Sequence, residues 1–138
     1  MSRENVEAYE RAFEAFGKKR DVDALLPALD PAIEWDMQLQ TLLGGEAAVY
    51  RGHEGVRQYF RDMDEVFAEI ELDYPDVRAV GDRVLAIGVV RARGRKSGAL
   101  IESQVGMVVE ARDGKATRVM AFMDPEEALK AVGLQEPS

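Results

Sequence analysis

The stretch DPAIEWDMQ, Asp30 to Gln38, sets the chain's only tryptophan, Trp35, directly before Asp36 in a run that alternates like a β-strand. A carboxylate there can take a proton from an activated carbon if an apolar pocket raises its pKa and holds it against the substrate. Trp35 could then wall the pocket for a flat, ring-bearing ligand, or simply fill the core. Alternation sets a condition on the pair: Ile33, Trp35 and Met37 share one face, Glu34 and Asp36 the other. An inward tryptophan turns Asp36 to water, so a working base competes with an ordinary solvated acid.

His53 is the single histidine. Placed just before a helix, it is a candidate general base, but the positive end of the helix dipole there disfavours its protonation and fits a turn residue better. Arg91 and Arg93 share a strand face and could clamp a carboxylate. Pairing with Glu102 or Glu110 on a solvated outer face is the simpler reading.

Cysteine is absent, which excludes disulfides, thiolate nucleophiles and His/Cys zinc sites, and no cofactor is expected. A metal could be held only by carboxylates. With 26 acids against 18 bases and a net charge of −8, phosphate backbones and anionic lipid would repel the chain, so neither nucleic acid nor membrane is an expected partner. No apolar run approaches the roughly 20 residues of a membrane span, and the charged opening MSRENVEAYERAFEAF is unlike a signal peptide. The expectation is one cytoplasmic domain over 1–138, since 138 residues with 46% hydrophobic content suit a single core.

The elements that must position these residues follow from periodicity and punctuation. Val6, Tyr9, Phe13 and Phe16 recur at helical spacing, with Gly17 as stop and Lys18, Lys19 and Arg20 as favourable C-terminal charge. Asp21 caps a second short helix through Leu29, which Asp30 and Pro31 break before the strand AIEWDM. LQTLLGGEAAVYRG reads as a long loop. From His53 to Ile70 the set Val56, Tyr59, Phe60, Met63, Val66, Phe67 and Ile70 predicts an amphipathic helix. Four strands follow, near Leu72–Val80, Arg83–Arg93, Leu100–Ala111 and Ala116–Met123, joined by GD, GRKSG and RDG. A last helix is capped by Asp124, with Pro125 in its first turn and Gly133 and Leu134 closing it. Helices followed by a meander predict one curved antiparallel sheet with helices on one face.

YRGHEGVRQYF, RGRKSG, ARDGKATRV and FMDPEEALKAVGL, in this order, resemble the nuclear transport factor 2 fold, and within it the SnoaL-like group of polyketide cyclases and ketosteroid isomerases. The resemblance spans nearly the whole chain and implies an α+β fold. Its form is a conical α+β barrel, a curved, mostly antiparallel sheet wrapped around N-terminal helices, with a short C-terminal helix. It also implies a pocket for a small hydrophobic molecule and a homodimer formed through the sheet.

Ketosteroid isomerases of this fold use an Asp base on the strand after the second helix, and an oxyanion hole of helix tyrosines and a protonated Asp. The resemblance puts Asp36 on the base, Phe13 near the helix-one tyrosine, Phe60 on the supporting tyrosine and Gly106 on the donor Asp. The base is kept and every donor is lost, each loss costing about 2.7–4 kcal/mol of transition-state stabilisation. Tyr9, one turn before Phe13, or Gln104, on the strand face of Gly106, could stand in. The candidate lining is therefore Tyr9, Phe13, Trp35, Tyr59, Phe60, Gln104 and Met123, around Asp36. Two functions fit: a cofactor-independent isomerase, cyclase or dehydratase moving a proton on a carbonyl compound, or a non-catalytic binder or dimeric scaffold.

Overall fold

The computed structural model describes residues 3–38, 41 and 46–133, with residues 3–6 and 8 described by backbone alone, so the side chain of Val6 lies outside it. Helix α1 covers Arg3–Glu14 and runs into a π-helical turn, Ala15–Lys19, that closes at Arg20 in the left-handed conformation, φ 54°. The helical run thus outlasts the stop expected at Gly17. Glycine serves a different purpose here: a Cβ on Gly17 would stand 2.3 Å from the Leu72 carbonyl oxygen, so its absence lets the turn press onto the sheet.

Asp21 caps α2 (Val22–Leu25), its carboxylate accepting from the Ala24 N–H at 3.1 Å. The rest of the expected second helix is a 3-10 turn, Leu26–Ala28, because Pro27 has no N–H to continue an α-helix.

Strand β1 is Leu29–Met37 and β2 is Ala48–Arg51, the latter inside the stretch read as loop. Residues 39, 40 and 42–45 of that stretch lie outside the described residues. Helix α3, Gly52–Val66, ends four residues before the expected Ile70, and Phe67 opens β3 (Phe67–Val80) opposite Gly94. Phe67 and Ile70 satisfy helical spacing, but pairing with β4 captures them: sheet hydrogen bonds to a neighbour outweigh local periodicity. Strands β4 (Arg83–Gly94), β5 (Leu100–Arg112) and β6 (Lys115–Phe122) lie close to their expected spans, and α4 is Pro125–Ala131. Asp124 caps α4, accepting from the Glu126 N–H at 2.9 Å, and Leu134 lies outside the described residues.

The sheet order is β2-β1-β6-β5-β4-β3. Among the described residues only the β1–β6 pair is parallel, which makes the six-stranded sheet mostly antiparallel. Register shifts between Asp73 and Asp76, across Pro75, bend β3 and help curl the sheet around the N-terminal helices.

Two apolar layers result. Ile33, Trp35 and Met37 of β1, Met107 and Val109 of β5 and Val119 of β6 face α1 and α3 inside the cone. Leu85, Ile87, Val108, Met120 and Phe122 point the other way, where Ala128 and Leu129 of α4 cover them. The expectation of helices on one face is corrected accordingly: α4 crosses to the convex side. Gly106 makes room for it, since a Cβ there would sit 2.6 Å from the Ala128 Cβ. Among the described residues, no helix is long and apolar enough to cross a membrane.

Candidate functional site

The cone is filled by rings. The π turn carries Phe16 inward, where its ring centroid lies 5.5 Å from Trp35, 6.3 Å from Tyr59 and 5.8 Å from Phe60. Trp35 and Tyr59 are 5.9 Å apart, Tyr50 reaches Tyr59 at 5.4 Å, and Phe13 meets Tyr74 at 5.2 Å. All are tilted or edge-on, the geometry in which aromatic quadrupoles attract. Between Tyr9, Phe13, Phe16, Trp35, Met107 and Val119 a space of about 30 Å³ is left, the volume of one water molecule.

Four polar groups are enclosed with this cluster and have no hydrogen-bond partner among the described residues: Trp35 Nε1, the Tyr59 and Tyr74 hydroxyls, and both terminal nitrogens of Arg20. Burial pushes the Tyr59 hydroxyl far above the ordinary phenol range, with the Arg20 charge pulling the other way and Tyr74 and Tyr50 adding to the rise. Tyr74 is pushed up by burial too. Both therefore stay protonated donors at neutral pH. The guanidinium carbon of Arg20 lies 4.8 Å from the centroid of Phe60, a cation–π contact, and desolvation lowers its pKa against the opposing influence of Tyr59 and Asp64.

The structure brings Tyr9, Phe13, Trp35, Tyr59 and Phe60 to the interior, with Met123 half-buried against it. The Met123 N–H donates to Gln38 Oε1 at 3.1 Å, tying the end of β6 to the end of β1. Two candidates are not there. Asp36 points to the convex face, its carboxylate 3.9 Å from an Arg118 terminal nitrogen; Trp35, at 2% exposure, is the residue that looks inward. Gln104 is exposed on the convex face too, since the inward residues of β5 are its neighbours Val105, Met107 and Val109. Both follow from the two-residue period of a strand: with Trp35 and Val105 facing in, their neighbours Asp36 and Gln104 face out.

His53 is fixed as a structural residue, its Nε2 donating to the Leu29 carbonyl at 3.0 Å. Arg91 pairs with Glu102 at 3.3 Å and Arg93 with Glu69 at 3.7 Å, on the convex face. Among the described residues, no group of three or more His, Cys, Asp or Glu side chains could hold a metal ion.

Arg20 and Tyr74 escaped the sequence reading. Arg20 closes the basic run GKKR and looks like helix-end charge, and Tyr74 stands beside a proline in a strand. Neither carries a local signal of burial.

The SnoaL-like domain pattern matches residues 7–119, from the middle of α1 into β6. The chain belongs to the SnoaL-like domain family. No curated protein matches this SnoaL-like domain in sequence. Its fold recurs in an NTF2-like protein of unknown function from Burkholderia pseudomallei, 23% identical with a TM-score of 0.78, the match covering 96% of this chain and 99% of that one. It recurs in TerC co-crystallised with polyporic acid, at 23% identity and a TM-score of 0.74 over 93% and 97% of the two chains. A third similar structure is a hypothetical protein with a ketosteroid isomerase-like fold from Catenulispora acidiphila in complex with trimethylamine, at 15% identity and a TM-score of 0.68 over 97% and 95%. At these identities the likeness is one of fold.

Proposed function

We propose that the cone binds a small, largely apolar, ring-bearing molecule, without chemistry at Asp36. The observation that carries this is the aromatic cluster of Phe16, Trp35, Tyr59 and Phe60 enclosing donors that have no partner among the described residues. An unpaired buried polar group costs about 1–3 kcal/mol, a cost that a ligand supplying acceptors removes. A co-crystallised small molecule in TerC, a protein of the same fold, supports the reading.

A space of about 30 Å³ admits no such ligand, so binding requires the rings to part. Phe16 is the side chain to move, because it sits in a π-helical turn, and such turns are frequent at functional sites. Phe13 lines both the inner space and an open groove of about 410 Å³ between α1 and β3, which offers a way in.

The alternative is an isomerase, cyclase or dehydratase acting on a carbonyl compound with Asp36 as base. It has less support, because turning Asp36 inward by a register slip would turn Trp35 out to water. A homodimer through the convex face fits the family, and there α4 already covers part of the sheet. The area open to a partner is the charged end of β3 to β5, where Leu100 is 75% exposed.

A ligand-dependent melting screen against polycyclic ketones, sterols and terpenoids, repeated on Asp36→Asn, tests the reading. Binding by both proteins alike, with no turnover by either, is the expected result. Turnover that Asp36→Asn abolishes would restore the enzyme.

A further inference from the structure

We propose that Arg20, with the hydroxyls of Tyr59 and Tyr74, forms an anion-recognition subsite in the cone that takes the carboxylate of a small aromatic acid. The proposal rests on the binding reading above and names the chemistry of its ligand.

Arg20 is held in place before any ligand arrives. It ends the π turn in a left-handed conformation, its N–H donates to the Ala15 carbonyl, and its guanidinium lies over the ring of Phe60. That placement leaves both terminal nitrogens enclosed and without a hydrogen-bond partner among the described residues. Asp64, the carboxylate with an influence on Arg20, is an exposed residue and makes no hydrogen bond to its terminal nitrogens. Arg20 as a residue is half-buried, but its two terminal nitrogens are enclosed, and a fork so placed attracts a planar, two-oxygen anion, because two parallel N–H donors match the spacing of carboxylate oxygens.

The second observation concerns two buried hydroxyls. Tyr59 is fully buried, its hydroxyl has no partner, and it lies within electrostatic reach of Arg20, of Tyr74 and of Tyr50. The Tyr50 hydroxyl is already used, donating to Asp62 at 2.7 Å, whereas the Tyr74 hydroxyl is not. The Tyr59 hydroxyl near the Arg20 charge, and the Tyr74 hydroxyl near Tyr59, are donors with no acceptor among the described residues, and an anion supplies one. The rest of the surroundings are rings, Phe16, Trp35 and Phe60, which select an aromatic body for the acid. Inorganic phosphate is a poor match: its heavy hydration is not repaid by an apolar wall.

The test is isothermal titration at neutral pH with two acid and amide pairs, benzoate with benzamide and 1-naphthoate with 1-naphthamide, on wild type and Arg20→Gln. The acids are expected to bind roughly tenfold to a hundredfold more tightly than their amides, a preference that Arg20→Gln removes while amide binding persists. Equal affinity of acid and amide, or a preference that survives Arg20→Gln, overturns the subsite and leaves the aromatic cone as a binding site. Failure of all four compounds to bind wild type overturns both. If Arg20→Gln does not fold, Tyr59→Phe decides: it removes one donor without changing ring packing, and an acid preference undiminished in that protein overturns the proposal.

Discussion

Trp35 and Asp36 are consecutive in β1 and lie on opposite sides of the sheet, the indole 5.5 Å from the ring of Phe16 and the carboxylate 3.9 Å from Arg118. Their substitutions should therefore differ sharply. With side chains 35% and 41% exposed, the Asp36–Arg118 pair is a surface interaction, and Asp36→Asn should change unfolding stability by less than about 1 kcal/mol. Trp35→Ala leaves a large hole in the ring cluster and should cost about 3–5 kcal/mol. Urea unfolding of the two variants measures both; a loss of several kcal/mol in Asp36→Asn would show that the carboxylate is held in some other way.

Gly17→Ala tests the contact between the π turn and β3. The clash at 2.3 Å is with a backbone oxygen, which cannot rotate away. The turn or the strand must shift, at a cost of about 1–3 kcal/mol or more. Circular dichroism with chemical denaturation should show a destabilised protein that keeps its helical content; a variant as stable as wild type would mean the turn does not bear on Leu72.

Gly106→Ala probes the convex face. The added methyl group meets Ala128 of α4, so the expected response is loosening of that helix, with about 1–3 kcal/mol of destabilisation and faster amide exchange in residues 125–131. Unchanged exchange would contradict the packing of α4 against β5.

Phe16→Ala should cost about 3–5 kcal/mol and leave an apolar cavity next to the existing one. Such cavities stay dry and take up small hydrocarbons. Toluene should raise the melting temperature of Phe16→Ala more than that of wild type, where the rings must first part. Equal shifts in both would show that the rings part without help.

Alkaline pH should weaken the fold through the buried tyrosines. Unfolded tyrosines lose their protons near pH 10, whereas burial holds those of Tyr59 and Tyr74 to higher pH. The folded protein then binds more protons than the unfolded chain, so stability is intact below about pH 10 and falls as pH rises further. Tyr59→Phe removes one of these groups. Its melting temperature should decline less steeply between about pH 9 and pH 11, and at neutral pH it should match or exceed wild type, because an unpaired buried hydroxyl has been deleted. Parallel declines would mean that Tyr59 is not protected from ionisation.

Much of the frame was legible locally, because caps, glycines and alternation act within a few residues. Asp21 and Asp124 cap where their side chains predict, and β4, β5 and β6 fall close to the spans bounded by their turns. The boundary between α3 and β3 was not, since Phe67 and Ile70 suit both periods and only pairing with Gly94 and Ala92 chooses. Tyr9, Phe13, Tyr59 and Phe60 could be placed on apolar helix faces from their spacing, whereas Arg20 could not be placed inside: a basic residue after a lysine pair has no local mark of burial.

By itself the sequence determined that Trp35 and Asp36 must face opposite ways, because the two-residue period of a strand allows nothing else. Which of them faces the cone was decided by tertiary structure, through the parallel pairing of β1 with β6 that sets Trp35 beside Val119 and Asp36 beside Met120. The same holds for α4, whose cap is local but whose side of the sheet depends on Gly106 and the apolar residues of β4 to β6. Alternation is a local property of the backbone; the sign of a face is a property of everything packed against it.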